Sequence, residues 1–70
     1  MNNYYFPTLW YGERVRALVD YQDIHYGKAY NIYDLNENGD VRVSFYDWKC
    51  NEQYCLPEWY APNNFRLDNF

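Results

Sequence analysis

The amino-acid sequence predicts a mainly β fold, a small five-stranded barrel behind an aromatic N-terminal extension. Three observations carry this expectation. Apolar and polar residues alternate from Val41 to Tyr46, the period of a half-buried strand. Asn36-Glu37-Asn38-Gly39-Asp40 lies between two such segments, and Asn-Gly is a hairpin signal because both residues tolerate positive φ. Pro57 and Pro62 lack ladder donors, so the stretch they bracket breaks the sheet before one last short strand.

Residues 1–12 form the extension and residues 13–70 the barrel. In the extension Tyr4, Tyr5, Phe6, Trp10 and Tyr11 are interrupted by Pro7 and closed by Gly12, with no sustained period. Glu13 to Asp20 reads as the first strand, with Val15, Ala17 and Val19 on one face. Tyr21 to Gly27 is a polar, irregular loop. Lys28 to Leu35 is the second strand, with Tyr30 and Ile32 on one face and Tyr33 and Leu35 on the other. Val41 to Tyr46 is the third, with Val41, Val43 and Phe45 inward and Arg42, Ser44 and Tyr46 outward. Glu52 to Leu56 is the fourth, Pro57 to Pro62 a single helical turn, and Phe65 to Leu67 the fifth. The expected core is Val15, Ala17, Ile32, Val43, Phe45 and Leu56.

Seventy residues bury a small core, and large rings are an effective way to fill it. Ten Tyr, four Phe and three Trp exceed what such a core hides, so several rings lie at the surface. A formal net charge of −4 opposes unspecific contact with phosphate backbones and suits docking on a basic surface. No apolar run approaches the length of a membrane-spanning helix, and the N-terminus lacks a basic region followed by an apolar run. A reducing cytoplasm is the expected location, with Cys50 and Cys55 as thiols.

Local motifs resemble those of SH3 domains. Ala17-Leu18-Val19-Asp20-Tyr21 is similar to their ALYDY motif, and Pro57-Glu58-Trp59-Tyr60 to the Pro-x-x-Tyr segment before the last strand. The resemblance implies an SH3-like barrel over roughly Glu13 to Leu67, with Tyr21, Pro57 and Tyr60 as groove residues. SH3 domains also present a Trp at the start of the third strand. Asp40-Val41-Arg42-Val43 has none, so the expected affinity for proline-rich peptides is weak. Gly27-Lys28-Ala29-Tyr30-Asn31-Ile32, then Asn38-Gly39, Pro57 and Phe65, resembles small SH3-like proteins of bacteriophages. That resemblance implies a viral origin, a host cytoplasm and no defined activity.

Catalytic and metal chemistry find little support in the residues. Asp34-x-Asn36-x-Asn38-Gly39-Asp40 matches half of an EF-hand calcium loop, but Phe45 stands where the bidentate Glu belongs. An Asn- and Asp-rich turn explains it. His25 is the one histidine and has no triad partners in view. Two thiols do not make a zinc site. The expectation is therefore no enzyme, no metal and no cofactor.

The surplus rings point to an interface instead, since Tyr and Trp concentrate binding energy. The expected surface combines Trp10 and Tyr11 of the extension, Tyr21 and Tyr26 of the first loop, and Trp59 and Tyr60, rimmed by Asp20, Asp23 and Glu58. The expected partner is a host protein with a basic surface, which the chain docks on and inhibits; a homo-oligomer is compatible with this. Two alternatives stand beside it. One is sequestration of a nucleotide-type ligand, with Tyr21, Trp48 or Trp59 stacking on a base and Arg14, Arg16 or Arg42 meeting phosphate. The other is binding of single-stranded nucleic acid, which the acidic balance disfavours.

Overall fold

Alternation in the strand segments produces four antiparallel ladders, and these organise the molecule. A computed structural model describes residues 9–68. Strands β1 (Arg14–Ala17), β2 (Ala29–Leu35), β3 (Val41–Asp47), β4 (Glu52–Cys55) and β5 (Phe65–Leu67) form one sheet. Its order is β4-β3-β2-β1-β5, with every neighbouring pair antiparallel. The sheet is open: β4 and β5 are its edges, and their ladders do not meet.

The first strand is shorter than alternation predicts. It ends at Ala17 because the Leu18 amide turns to the Asn64 carbonyl (2.8 Å), leaving Leu18 and Val19 exposed. In β2 the register with β3 shifts between Ile32 and Asp34, so Tyr33 is an extra residue. Beyond it the side chains change face. Leu35 lies opposite Val41 and packs on the core, rather than sharing the outer face with Tyr33. Asp34 falls opposite Arg42 and pairs with it at 3.3 Å.

The β2–β3 turn is a wider structure than an Asn-Gly two-residue loop. Asn36 and Asp40 still pair, the Gly39 amide donates to the Asn36 carbonyl (3.0 Å), and Gly39 alone adopts positive φ, at 84°. Asn36 Oδ1 accepts from the amides of Asn38 (2.9 Å) and Asp40 (3.0 Å), an internal use of the oxygens that resembled calcium ligands.

The segment from Pro57 to Ala61 is not helical: it bends at Glu58 and is extended at Ala61. Tyr60 exchanges both backbone hydrogen bonds with Val41 at 2.8 Å, which lays this segment across the start of β3. The helical turn comes later, a 3₁₀ turn at Pro62–Asn64, where Pro62 presets φ at the first position.

The core comprises Leu9, Val15, Ala17, Ile24, Tyr30, Ile32, Val41, Val43, Tyr60 and Phe65. Edge-on ring pairs Tyr30–Phe65 (6.4 Å) and Tyr60–Phe65 (5.9 Å) fill its centre. Phe45 and Leu56, expected inside, are only partly buried and pack on its margin. Phe45 stacks on Tyr54 of the edge strand β4, whose residues are all exposed and cover it on one side only. Ser44, expected outside, is buried and accepts a hydrogen bond from Gln53 Nε2 (2.9 Å). Leu9 brings the end of the expected extension into the core; the extension's other expected rings at Tyr4, Tyr5 and Phe6 lie outside the described residues.

Asp68 closes the β1–β5 side. Its buried carboxylate accepts from Arg14 Nε (3.2 Å) and from Arg16 Nε (3.1 Å) and Nη2 (2.9 Å). The Arg16 hydrogen bonds, aided by the positive charge of both arginines, hold this carboxyl below its ordinary pKa against the opposing cost of burial.

Candidate functional site

The chain between β1 and β2 looks irregular in sequence but is pinned at several points. Ile24 inserts fully into the core. Tyr21 and Ile24 exchange backbone hydrogen bonds (3.0 and 3.1 Å) around a turn in which Gln22 has φ 53°. On either side of Ile24, the Asp23 amide donates to Tyr60 Oη (3.2 Å) and the His25 amide to Tyr30 Oη (3.0 Å). Asp20 Oδ1 accepts from the Tyr26 amide (2.8 Å). Burial pushes the Tyr30 and Tyr60 phenols above their ordinary pKa, more than the amide hydrogen bonds lower it. Both hydroxyls therefore stay protonated at neutral pH, and the loop keeps its anchors.

This loop forms one wall of a groove of about 660 Å³. Val19, Asp20 and Tyr21 of the loop line it together with Trp59, Tyr60, Ala61, Asn63 and Asn64 of the segment before β5, and Asp40 lines it as well. Tyr21 meets Tyr60 edge-on at 6.2 Å. Arg42 lies 4.1 Å from the centroid of the Trp59 ring. The guanidinium is itself held by the Pro57 carbonyl (3.0 Å) and by Asp34 (3.3 Å). Trp59 is thus buttressed by a cation whose charge is already matched, while 37% of the residue remains open to solvent. The charged residues lining the groove, Asp20 and Asp40, are both acidic.

Of the nine residues expected at a partner surface, Asp20, Tyr21, Trp59 and Tyr60 converge on this groove. Tyr60 is a buried floor residue rather than an exposed contact. Asp23 and Glu58 adjoin it through the Tyr60 hydroxyl, which donates to Glu58 Oε1 at 3.4 Å. Tyr26 projects from the same loop, 70% exposed, without lining the groove. Trp10 and Tyr11 are elsewhere. They pack edge-on (5.5 Å) in a turn before β1, where Gly12 donates to the Ile32 carbonyl. Val19, Asp40, Ala61, Asn63 and Asn64 also line the groove and were not expected there. A polar residue in a turn carries no signal of the groove its neighbours will form.

Among the described residues no cluster of three or more His, Cys, Asp or Glu has metal-binding geometry, and no helix is long and apolar enough to cross a membrane. Cys50 and Cys55 are exposed and unbridged. No family model, curated protein or solved structure matches the chain in comparisons with known proteins.

Proposed function

We propose that the chain is a non-catalytic binding module of the SH3-like type whose groove takes a Lys- or Arg-bearing segment of a partner protein. One observation carries this reading. Two partly exposed rings, Tyr21 and Trp59, are held in place by buried or charge-matched neighbours, in a groove whose lining also includes the acidic residues Asp20 and Asp40. Pre-positioned rings give contact area at low entropy cost, and carboxylates select for cations. The strand order, with a loop and a pre-β5 segment flanking one groove, supports the SH3-like assignment. On the resemblance to bacteriophage proteins, the partner is a host protein in the host cytoplasm, and occupation of its basic surface inhibits it.

The test is to titrate a Lys/Arg-rich peptide and a Glu-rich control of equal length, with and without prolines, against the parent, Tyr21→Ala and Trp59→Ala. The reading predicts selective binding of the basic peptides whether or not they contain proline. Each truncation should weaken binding by at least about thirtyfold, the scale of an interface hot spot of ~2 kcal/mol. Equal binding of the acidic control, or folded variants that bind like the parent, would overturn it.

A further inference from the structure

A second aromatic surface shares no lining residue with the acidic groove and carries cations instead. Lys28, at the start of β2, and Lys49, in the β3–β4 turn, form no ion pair among the described residues. Both line a shallow cleft of about 350 Å³ with Phe45, Tyr46, Asp47 and Trp48. A second cleft of about 180 Å³ adjoins it and shares Lys28, Phe45, Tyr46 and Trp48, adding Arg14, Ala29 and Asn31. Three of the chain's six Lys and Arg residues therefore border one aromatic surface.

The rings there are ordered by one another. Tyr46 and Trp48 meet edge-on at 4.8 Å, and Trp48 is 84% exposed. Phe45 stacks on Tyr54 at 5.4 Å, and the Lys28 ammonium sits 3.5 Å from the Phe45 centroid. A cation resting on a ring is held at a defined height above the sheet. Arg14 commits only Nε to Asp68, and its side chain is 60% exposed. Asp47 is the one carboxylate lining the clefts, and its Oδ1 accepts from the Lys49 amide at 2.9 Å.

We propose that this face binds single-stranded nucleic acid, with a base stacked on Trp48 and flanking phosphates at Lys28, Lys49 and Arg14. Bases of any identity offer a π-face to an exposed ring, and interleaved cations track the backbone; that combination distinguishes a strand-binding surface from a simple anion site. Two shallow, continuous clefts fit an extended strand better than one enclosed nucleotide. The net charge of −4 argues against nucleic acid only when averaged over the molecule; locally, cations outnumber carboxylates.

Fluorescence anisotropy of a labelled twelve-residue oligothymidylate at low salt tests this, with thymidine monophosphate as competitor. The oligomer should bind, and log K should fall with log salt at a slope of about −2, as three phosphate contacts on a single strand require. Trp48→Ala should weaken binding by about fivefold or more, the lower end of a base-stacking contribution. Lys49→Gln should flatten the slope without affecting the core, because Lys49 is exposed. Trp59→Ala should leave oligomer binding unchanged, which separates this face from the groove. No binding at low salt, indifference to Trp48→Ala, or competition by the mononucleotide as effective as by unlabelled oligomer would each overturn the proposal.

Discussion

Truncation of Ile24 tests whether the β1–β2 loop is a built wall or a loose connection. Ile24 is fully buried although it comes from a loop of polar residues. Ile24→Ala removes its methyl and methylene groups from the core, which costs about 2–5 kcal/mol depending on how far the site collapses. Collapse is restricted here. The residue's own amide and carbonyl are bonded to Tyr21, and the amides of Asp23 and His25 are held by two buried phenols. The loss should therefore lie in the upper half of that range, about 3.5–5 kcal/mol. A chain of this length has a total stability of about 4–10 kcal/mol, so much of it depends on this one side chain. Ile24→Val should cost only about 0.5–1.5 kcal/mol. Urea denaturation followed by intrinsic fluorescence measures both, with an unchanged m-value confirming that the same surface unfolds. A loss below about 1 kcal/mol for Ile24→Ala would refute the anchoring argument.

Three further perturbations probe other contacts. Tyr60→Phe keeps the ring and orphans the Asp23 amide, so a loss of about 1–2 kcal/mol is expected in the same denaturation assay. Because the folded-state pKa of Asp68 is lowered, its stabilisation is complete above the unfolded value and is lost as pH falls through the lower folded value; acid unfolding should therefore draw on it below about pH 4. Asp68→Asn should destabilise at neutral pH and make the acid limb of a stability–pH curve shallower. Replacing Cys50 and Cys55 together with Ser should change stability by less than about 0.5 kcal/mol, because both thiols are exposed and unbridged.

Much of the sheet was legible because alternation is a local property. The fifth strand matches its expected bounds, and the second and third differ by one residue each. The misassigned residues reflect non-local causes. The bulge at Tyr33 moved Leu35 to the core face, and nothing near it in sequence announces the extra residue. Ile24 stands alone among polar residues and has no period to reveal it. Tyr60 was legible as a member of the groove, but its depth follows from the bridge to Val41, whose position depends on the intervening β3–β4 turn and the bend at Glu58. Trp10 and Tyr11 shared composition with the groove rings without sharing their location, because Gly12 ties their turn to Ile32.

The most direct test of the binding-module account is to map a Lys/Arg-rich peptide onto the protein by amide and indole chemical-shift changes in NMR titration. The account predicts a contiguous set of shifts at Asp20, Tyr21, Asp40, Asn63, Asn64 and the Trp59 indole, with Trp48 and Lys49 silent. Shifts centred on Trp48, or none at peptide concentrations up to about 1 mM, the scale of the weakest specific contacts, would contradict it.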